Sequence, residues 1–337
     1  PYDQYTDGLK VYTTIHSRMQ KYAEAAAEEQ MRALQSLFDK HWKNYKKDKP
    51  WGDDKWIEEQ MRRSDRWYQL KEAGFSKEQI IANFEAPVSM TIFSWDEKGR
   101  YEMKTTMSPI DSVRYYFCLL NCGFMAMDHS NGHVRAWVGG TNHKYFKYDH
   151  VKSTRQVGST FKPIVYAAAI QDTFRPCSYL PNELVKIEDW EPHNSDEVYG
   201  GWCSVAGGLT YSVNVIAAQL IQRVGIERTI QLARAMGITS NLKREFGISL
   251  GAADISLSEM IQVYGTLANR GVRPDPVLVT RITTRSGQVI YDLEAEQAKK
   301  QNAAVQALTA DQAATMTRML QYVINSGTGG RMRYGYG

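Results

Sequence analysis

The alternation of apolar and polar residues along the chain predicts a succession of short elements of mixed type. Residues 9–15, Leu-Lys-Val-Tyr-Thr-Thr-Ile, are rich in β-branched and aromatic side chains and read as a strand. A long helix is expected next. Ser17 and Gln20 have capping-box spacing, and Met19, Tyr22, Ala26, Leu34, Leu37, Phe38, Trp42 and Tyr45 recur at three- and four-residue intervals until Pro50. A second amphipathic segment covers about 54–73, and Ser76 with Gln79 caps a short third helix ahead of Pro87. Residues 90–95 and 101–107 read as a hairpin about the turn Asp96-Glu97-Lys98-Gly99. The dense aromatics of this first third read as core rather than as a ligand cage.

From Gly123 the pattern becomes that of a buried strand, which turns at Ser130-Asn131-Gly132 and returns through residues 134–138. Helices are expected from Ser159 to Gly271, with glycine stops at Gly225, Gly237 and Gly271 and a capping box at Ser256 and Glu259. Residues 277–284 and 289–293 form a third hairpin around Ser286-Gly287, and a capped helix from Thr309 to Asn325 follows. The change in pattern divides the chain into an N-terminal pedestal, residues 1–115, with long helices and one hairpin, and a second domain over 116–337. No internal repeat of solenoid length is present.

Composition narrows the class. A chain of 337 residues with 43% apolar and 23% charged residues is an ordinary globular sequence. Its net charge of +4 is spread along the chain and argues against a nucleic-acid surface. No apolar run is long enough to span a bilayer, and residues 1–8 lack the basic-then-apolar form of a signal peptide. The four cysteines, Cys118, Cys122, Cys177 and Cys203, lack the paired spacing of a zinc site and read as buried free thiols. No metal and no cofactor is expected.

Candidate chemistry begins at Ser159-Thr160-Phe161-Lys162, which follows Gly158 and precedes Pro163. Positions i and i+3 of a helix share a face, so the Lys162 amine can reach the Ser159 hydroxyl. A serine is a weak nucleophile until a neighbour takes its proton, which a desolvated, neutral lysine can do. Pro163 has no N–H for the Ser159 carbonyl, so a helix beginning near Ser159 tolerates it best and puts the hydroxyl at the positive end of the dipole. Spacing alone is not diagnostic, because Ser240-Asn241-Leu242-Lys243 repeats it without the glycine or the proline. The second element is Ser212-Val213-Asn214, which opens an apolar helix; an N-cap serine beside an incidental asparagine is the plainer alternative.

With both motifs in this order, the chain resembles the penicillin-binding serine transpeptidases, and most closely the transpeptidase half of the bifunctional class A penicillin-binding proteins. Asp7 to Ile15 resembles the family's entry segment, and Phe124 to Gly140 its first core hairpin. Arg155 to Pro163 resembles its nucleophile motif, Tyr211 to Val215 its second motif, and Gly251 to Gly271 its following helices. The resemblance implies an α/β (α+β) fold of the β-lactamase and transpeptidase type, an antiparallel sheet flanked by helices, here with a helical N-terminal accessory segment. It implies acylation of Ser159 by the D-alanyl-D-alanine end of a peptidoglycan stem peptide. Lys162 would be the general base, Ser212 would relay the proton to the leaving group, Asn214 would bond Lys162 and the substrate amide, and the Ser159 N–H would serve the oxyanion.

The implied partners are stem peptides, nascent glycan strands and β-lactam antibiotics. The implied location is the periplasmic side of the bacterial cytoplasmic membrane, with a membrane anchor and a glycosyltransferase domain upstream. The family's third motif, Lys-Thr-Gly or Lys-Ser-Gly on an edge strand, does not occur in the sequence. The natural polypeptide is therefore expected to continue past Gly337, or to contain a stretch with Lys-Thr-Gly or Lys-Ser-Gly that is missing from these residues. An intact mass equal to these residues alone, from a sample acylating at full rate, would contradict this. Two other readings stand beside this one: a D,D-carboxypeptidase passing the acyl group to water, and a non-catalytic cell-envelope binding module. The Glu-x-x-Leu-Asn segment associated with deacylation in class A β-lactamases is absent from the sequence, so hydrolysis is expected to be slow.

Overall fold

A computed structural model of the chain describes residues 2–3, 5–45, 48–96, 99–300 and 304–334. Helices and antiparallel strand pairs make up two compact units that are interleaved in sequence. One contains residues 1–20, 124–137 and 149–337, and the other residues 21–123 and 138–148.

In the first unit, β1 (Lys10–Thr13) pairs antiparallel with β10 (Val279–Thr283), Lys10 opposite Thr283 and Tyr12 opposite Arg281. β10 in turn pairs with β11 (Val289–Asp292), Arg281 opposite Asp292. The expected hairpin of β4 (Phe124–Met127) and β5 (Val134–Val138) is present. Gly132 in its turn has φ +73°, and a β-carbon there would lie 1.9 Å from the Asp275 carbonyl oxygen, so only glycine fits. Thr14, buried just past β1, joins these strand groups: its hydroxyl bonds the carbonyls of Val134 (2.8 Å) and Val277 (2.7 Å).

The core of this unit is helical. α6 (Lys162–Asp172) is buried on every side from Lys162 to Ala169. Around it pack α7 (Val205–Thr210), α8 (Asn214–Val224), α9 (Ile226–Ala235), α10 (Leu257–Ala268) and α11 (Ala310–Ser326). A helix without a polar face is stable only inside such a shell. Capping boxes form at Ser256 and Thr309 as expected. Two short antiparallel pairs complete the site's surroundings: β6 (Thr154–Gln156) with β9 (Asp254–Ser256), and β7 (Tyr179–Pro181) with β8 (Trp202–Ser204).

The second unit holds most of α1 (Ser17–Asn44), α2 (Asp54–Arg63), α3 (Asp65–Glu72), α4 (Lys77–Glu85) and α5 (Pro109–Phe117). It also holds the hairpin of β2 (Val88–Asp96) and β3 (Gly99–Met107). The central turn residues of that hairpin, Glu97 and Lys98, lie outside the described residues. Met61, Ile80 and Phe84 form a small core, and the rings of Phe93, Tyr116, Tyr145 and Phe146 form an aromatic cluster. The Ser76 capping box is present.

Three expectations for this region are corrected. Ser17 does not cap α1: His16 Nδ1 accepts from the Met19 N–H, and the Gln20 amide bonds the Trp137 backbone in both directions, 2.9 and 2.8 Å. The Gln20 side chain mimics a strand partner, a tertiary use that sequence spacing does not distinguish from a cap. The buried row of α1 is Ala23, Met31 and Gln35, whereas Met19, Tyr22, Leu34 and Leu37 are exposed. Gln35 is inside because its amide bonds Asp39 and the backbone of Cys118 and Leu120. The segment 54–73 breaks at Ser64, whose hydroxyl bonds the Met61 carbonyl and caps α3 through the Trp67 N–H.

Thr14→Val is isosteric and removes only the hydroxyl. It is expected to destabilise the fold by about 1–3 kcal/mol, the usual cost of stranding buried carbonyls, in chemical denaturation. A change below a few tenths would show that the hydroxyl is not a joint between the strands.

Candidate active site

Ser159 sits in a single turn of 3₁₀ helix, Gly158–Phe161, that leads into α6. The cause is Pro163. It cannot donate to the Ser159 carbonyl four residues back, so that oxygen accepts the Lys162 N–H at i+3 instead. In a 3₁₀ turn residues i and i+3 eclipse, which aligns Ser159 and Lys162 more closely than an α-turn would. The expectation that a helix starts at this point holds, with the α-helix proper beginning at Lys162 rather than at Ser159.

The turn is pinned from outside. The N–H groups of Val157 and Gly158 bond the carbonyls of Ala253 (3.1 Å) and Gly251 (3.2 Å), and the Tyr264 hydroxyl bonds the Thr160 carbonyl (3.2 Å). Gly251 has φ +79°, and a β-carbon on it would come within 1.9 Å of the Gly158 carbonyl oxygen. The Ser159 side chain is exposed, and its hydroxyl and N–H have no partner among the described residues.

Lys162 is 1% exposed. Its ammonium is held by three neutral acceptors: the Ser212 carbonyl at 2.6 Å, the Ser212 hydroxyl at 3.0 Å and the Asn214 side-chain oxygen at 2.7 Å. Burial pushes its pKa down from 10.5 to about 8. The structure thus brings Lys162, Ser212 and Asn214 into direct contact, with Ser159 one turn before Lys162.

Ser212 does not cap α8. It follows α7, with φ +58°, and the N–H groups of Ser212 and Val213 return to the carbonyls of Leu209 (3.2 Å) and Gly208 (2.8 Å). This is the helix-terminating motif in which glycine normally occupies the left-handed position. A non-glycine residue there is strained, and the conformation lets both Ser212 oxygens serve Lys162. The N-cap of α8 falls on Val213, whose side chain cannot accept a hydrogen bond.

The second Ser-x-x-Lys tetrad is structural. Both Ser240 groups, N–H and hydroxyl, bond the Glu259 carboxylate at 2.7 Å, which also takes Thr239 and Ser256. These bonds hold the Glu259 carboxyl down at about 2 against the opposing effect of its burial. Lys243 is exposed. The cysteines are free, but Cys177 is exposed and the others only partly buried, which corrects the expectation of burial. Burial raises the thiols of Cys118, Cys122 and Cys203, opposing a thiolate role.

Residues 122–336 match the family described as "Penicillin binding protein transpeptidase domain", and residues 39–120 the "Penicillin-binding protein middle domain". The chain belongs to the penicillin-binding transpeptidase family. Penicillin-binding protein 1A of Rickettsia bellii is 26% identical over 314 residues, covering 85% of this chain and 39% of its own length. Penicillin-binding protein 1F of Bacillus subtilis is 31% identical over 207 residues, 60% of this chain and 28% of its own length. The chain thus spans well under half of these relatives. The same fold is seen in penicillin-binding protein 1A of Haemophilus influenzae, with TM-score 0.65, 20% identity and coverage of 98% of this chain and 56% of that one. It is seen again in PonA1 of Mycobacterium tuberculosis in complex with penicillin V, with TM-score 0.54, 20% identity and coverage of 80% and 70%.

Gly251→Ala is expected to displace the Ser159 turn, because neither backbone can yield at 1.9 Å and the positive φ adds strain. The expected cost is about 1–3 kcal/mol of stability. An unchanged thermal transition would show that the turn accommodates a side chain.

Proposed function

We propose that the chain is a D,D-transpeptidase, a serine acyltransferase acting on peptidoglycan stem peptides and acylated by β-lactams. The observation that carries this reading is the buried Lys162 amine, tuned to about 8 and bonded to Ser212 and Asn214, one turn from an exposed serine hydroxyl.

In the proposed reaction neutral Lys162 takes the Ser159 proton as Oγ attacks the carbonyl carbon of the D-alanyl-D-alanine bond. The Ser159 N–H, which has no other partner among the described residues, donates to the developing oxyanion. Collapse breaks the C–N bond. Ser212, within hydrogen-bond reach of Lys162, passes the proton to the departing D-alanine nitrogen. The Asn214 oxygen keeps Lys162 directed at this relay. An acceptor amine then attacks the ester, its proton returns through Lys162, and the cross-link leaves with Ser159 regenerated. With a β-lactam the same attack opens the ring, and the leaving nitrogen stays tethered. The setting would be the periplasmic side of the cytoplasmic membrane, on glycan strands supplied by a glycosyltransferase domain and with an anchor elsewhere in the polypeptide. No helix among the described residues is long and apolar enough to cross a membrane.

Ser159→Ala is expected to abolish covalent labelling by fluorescent penicillin with the thermal transition little changed, since the hydroxyl is exposed. Labelling that survives in this variant would overturn the assignment. Ser240→Ala is expected to keep Ser159 reactive despite losing stability with its Glu259 bonds. The pH profile supplies an independent check. Because the neutral amine is the base, the acylation rate is expected to rise with pH through a midpoint near 8 and to level off above it. Lys162→Arg, which cannot deprotonate, should lose nearly all of the rate, and a flat profile or an active Arg variant would assign the base elsewhere.

A further inference from the structure

We propose that Asn194, on the loop between β7 and β8, is a positioning residue that fixes the Lys162 amine through Asn214. Its side-chain oxygen accepts the N–H groups of Asn214 (3.0 Å) and Val215 (3.2 Å), the first two residues of α8. That helix has no cap of its own, because Val213 stands at the capping position. Asn194 supplies the cap from twenty residues upstream.

Its remaining capacity is also spent. The Asn194 amide nitrogen donates to the Asn182 side-chain oxygen (3.0 Å) and the Val198 carbonyl (2.9 Å), and its backbone N–H donates to the Tyr199 hydroxyl (3.1 Å). Asn194 is 4% exposed. With two acceptor and two donor bonds made, the amide has one orientation. The neighbouring residue completes the grip: the His193 carbonyl accepts the Asn214 side-chain nitrogen at 2.7 Å. Asn214 is therefore held at its backbone by Asn194 and at its amide by His193, which leaves its oxygen facing Lys162 at 2.7 Å. The line Val198 and Asn182, Asn194, Asn214, Lys162 is continuous, and each link is a hydrogen bond. A rotation of Asn214 would present N–H to an ammonium, which the His193 carbonyl prevents.

The consequence for acylation rests on the proposed function, but the positioning role has a readout of its own. The titratable groups on the surrounding elements include Tyr166 of α6, Cys203 of β8, and Glu191, His193 and Tyr199 of the loop, with His193 Nε2 3.8 Å from the Glu191 carboxylate and its Nδ1 3.4 Å from the Tyr199 hydroxyl. Burial alone, and no nearby charge, accounts for the low value at Lys162, so a change in its setting shows directly in its titration.

The experiment follows the ε-carbon NMR resonance of Lys162, assigned by its loss in Lys162→Met, across pH in the whole chain. Asn214→Ala and Asn194→Ala are expected to move the midpoint in the same direction, and the double variant is expected to move it no further than Asn214→Ala alone. Asn194→Asp keeps the acceptor role and adds negative charge, so its midpoint is expected to rise. A midpoint unmoved by Asn194→Ala while Asn214→Ala moves it, or shifts that add in the double variant, would overturn the proposal. If Asn194→Ala does not fold, an unmoved midpoint in Asn194→Asp does so. Penicillin labelling in parallel is expected to fall roughly 10- to 1000-fold in both single Ala variants, up to the scale of losing one positioned polar group. A wild-type chain that does not label, but whose Lys162 responds as described, would sink the transpeptidase reading and leave the positioning role standing.

Discussion

A primary amine buried without a counter-charge is the constraint on which the rest of this site depends. A carboxylate could have stabilised Lys162 more strongly, but among the described residues none touches it; its three acceptors are all neutral oxygens. A carboxylate would raise its pKa back toward the ordinary lysine value, and water would do the same by removing the desolvation. Neutral acceptors around a buried amine satisfy the ammonium hydrogens without holding the proton strongly. The apolar surroundings of α6, with Phe161 and Ile164 to Ala169 all buried, are therefore part of the electrostatics as well as of the packing.

Three departures from regular backbone converge on that amine, each with a local cause. Pro163 forces the 3₁₀ turn that aligns Ser159 with Lys162. Left-handed Ser212 turns two oxygens of one residue toward the ammonium, where a glycine would relax the backbone but supply only one. Val213 leaves α8 uncapped, and the cap arrives from Asn194 on a loop that also fixes Asn214. Strain and irregularity of this kind persist only where surrounding contacts over-determine them, and here the contacts are the Gly251, Tyr264 and Asn194 hydrogen bonds.

What could be read from the sequence follows the range of the interaction. Capping boxes at Ser76, Ser256 and Thr309, and hairpins closed by short turns, are decided within a few residues and were legible. Two short motifs also singled out Lys162, Ser212 and Asn214, which the fold brings into contact where α6 and α8 begin, with Ser159 one turn before Lys162. Partners settled by tertiary contact were not. Gln20 pairs with the Trp137 backbone rather than with its own helix, and Gln35 rather than Leu34 or Leu37 faces inward on α1. The pairing of β1 with β10 joins residues about 270 apart in the chain, so the interleaving of the two units has no local signal. Asn194 carried one faint sign, the absence of any capping side chain at Val213, which required some other residue to supply the bond.

The two Ser-x-x-Lys tetrads show why the motif alone is insufficient. Ser240 lies under a carboxylate that accepts hydrogen bonds from its hydroxyl and its backbone N–H, and Lys243 projects into solvent. At Ser159 the relations are reversed: the hydroxyl is exposed with no partner among the described residues, and the lysine is enclosed. Reactivity needs a nucleophile that a substrate can reach and a base that has already lost its hydration, and those demands oppose each other across three residues. A glycine before the serine and a proline after the lysine resolve the conflict, because a tight turn can keep one end of the tetrad at the surface while the helix carries the other end inward. The flanking residues, more than the tetrad, are what encode the chemistry.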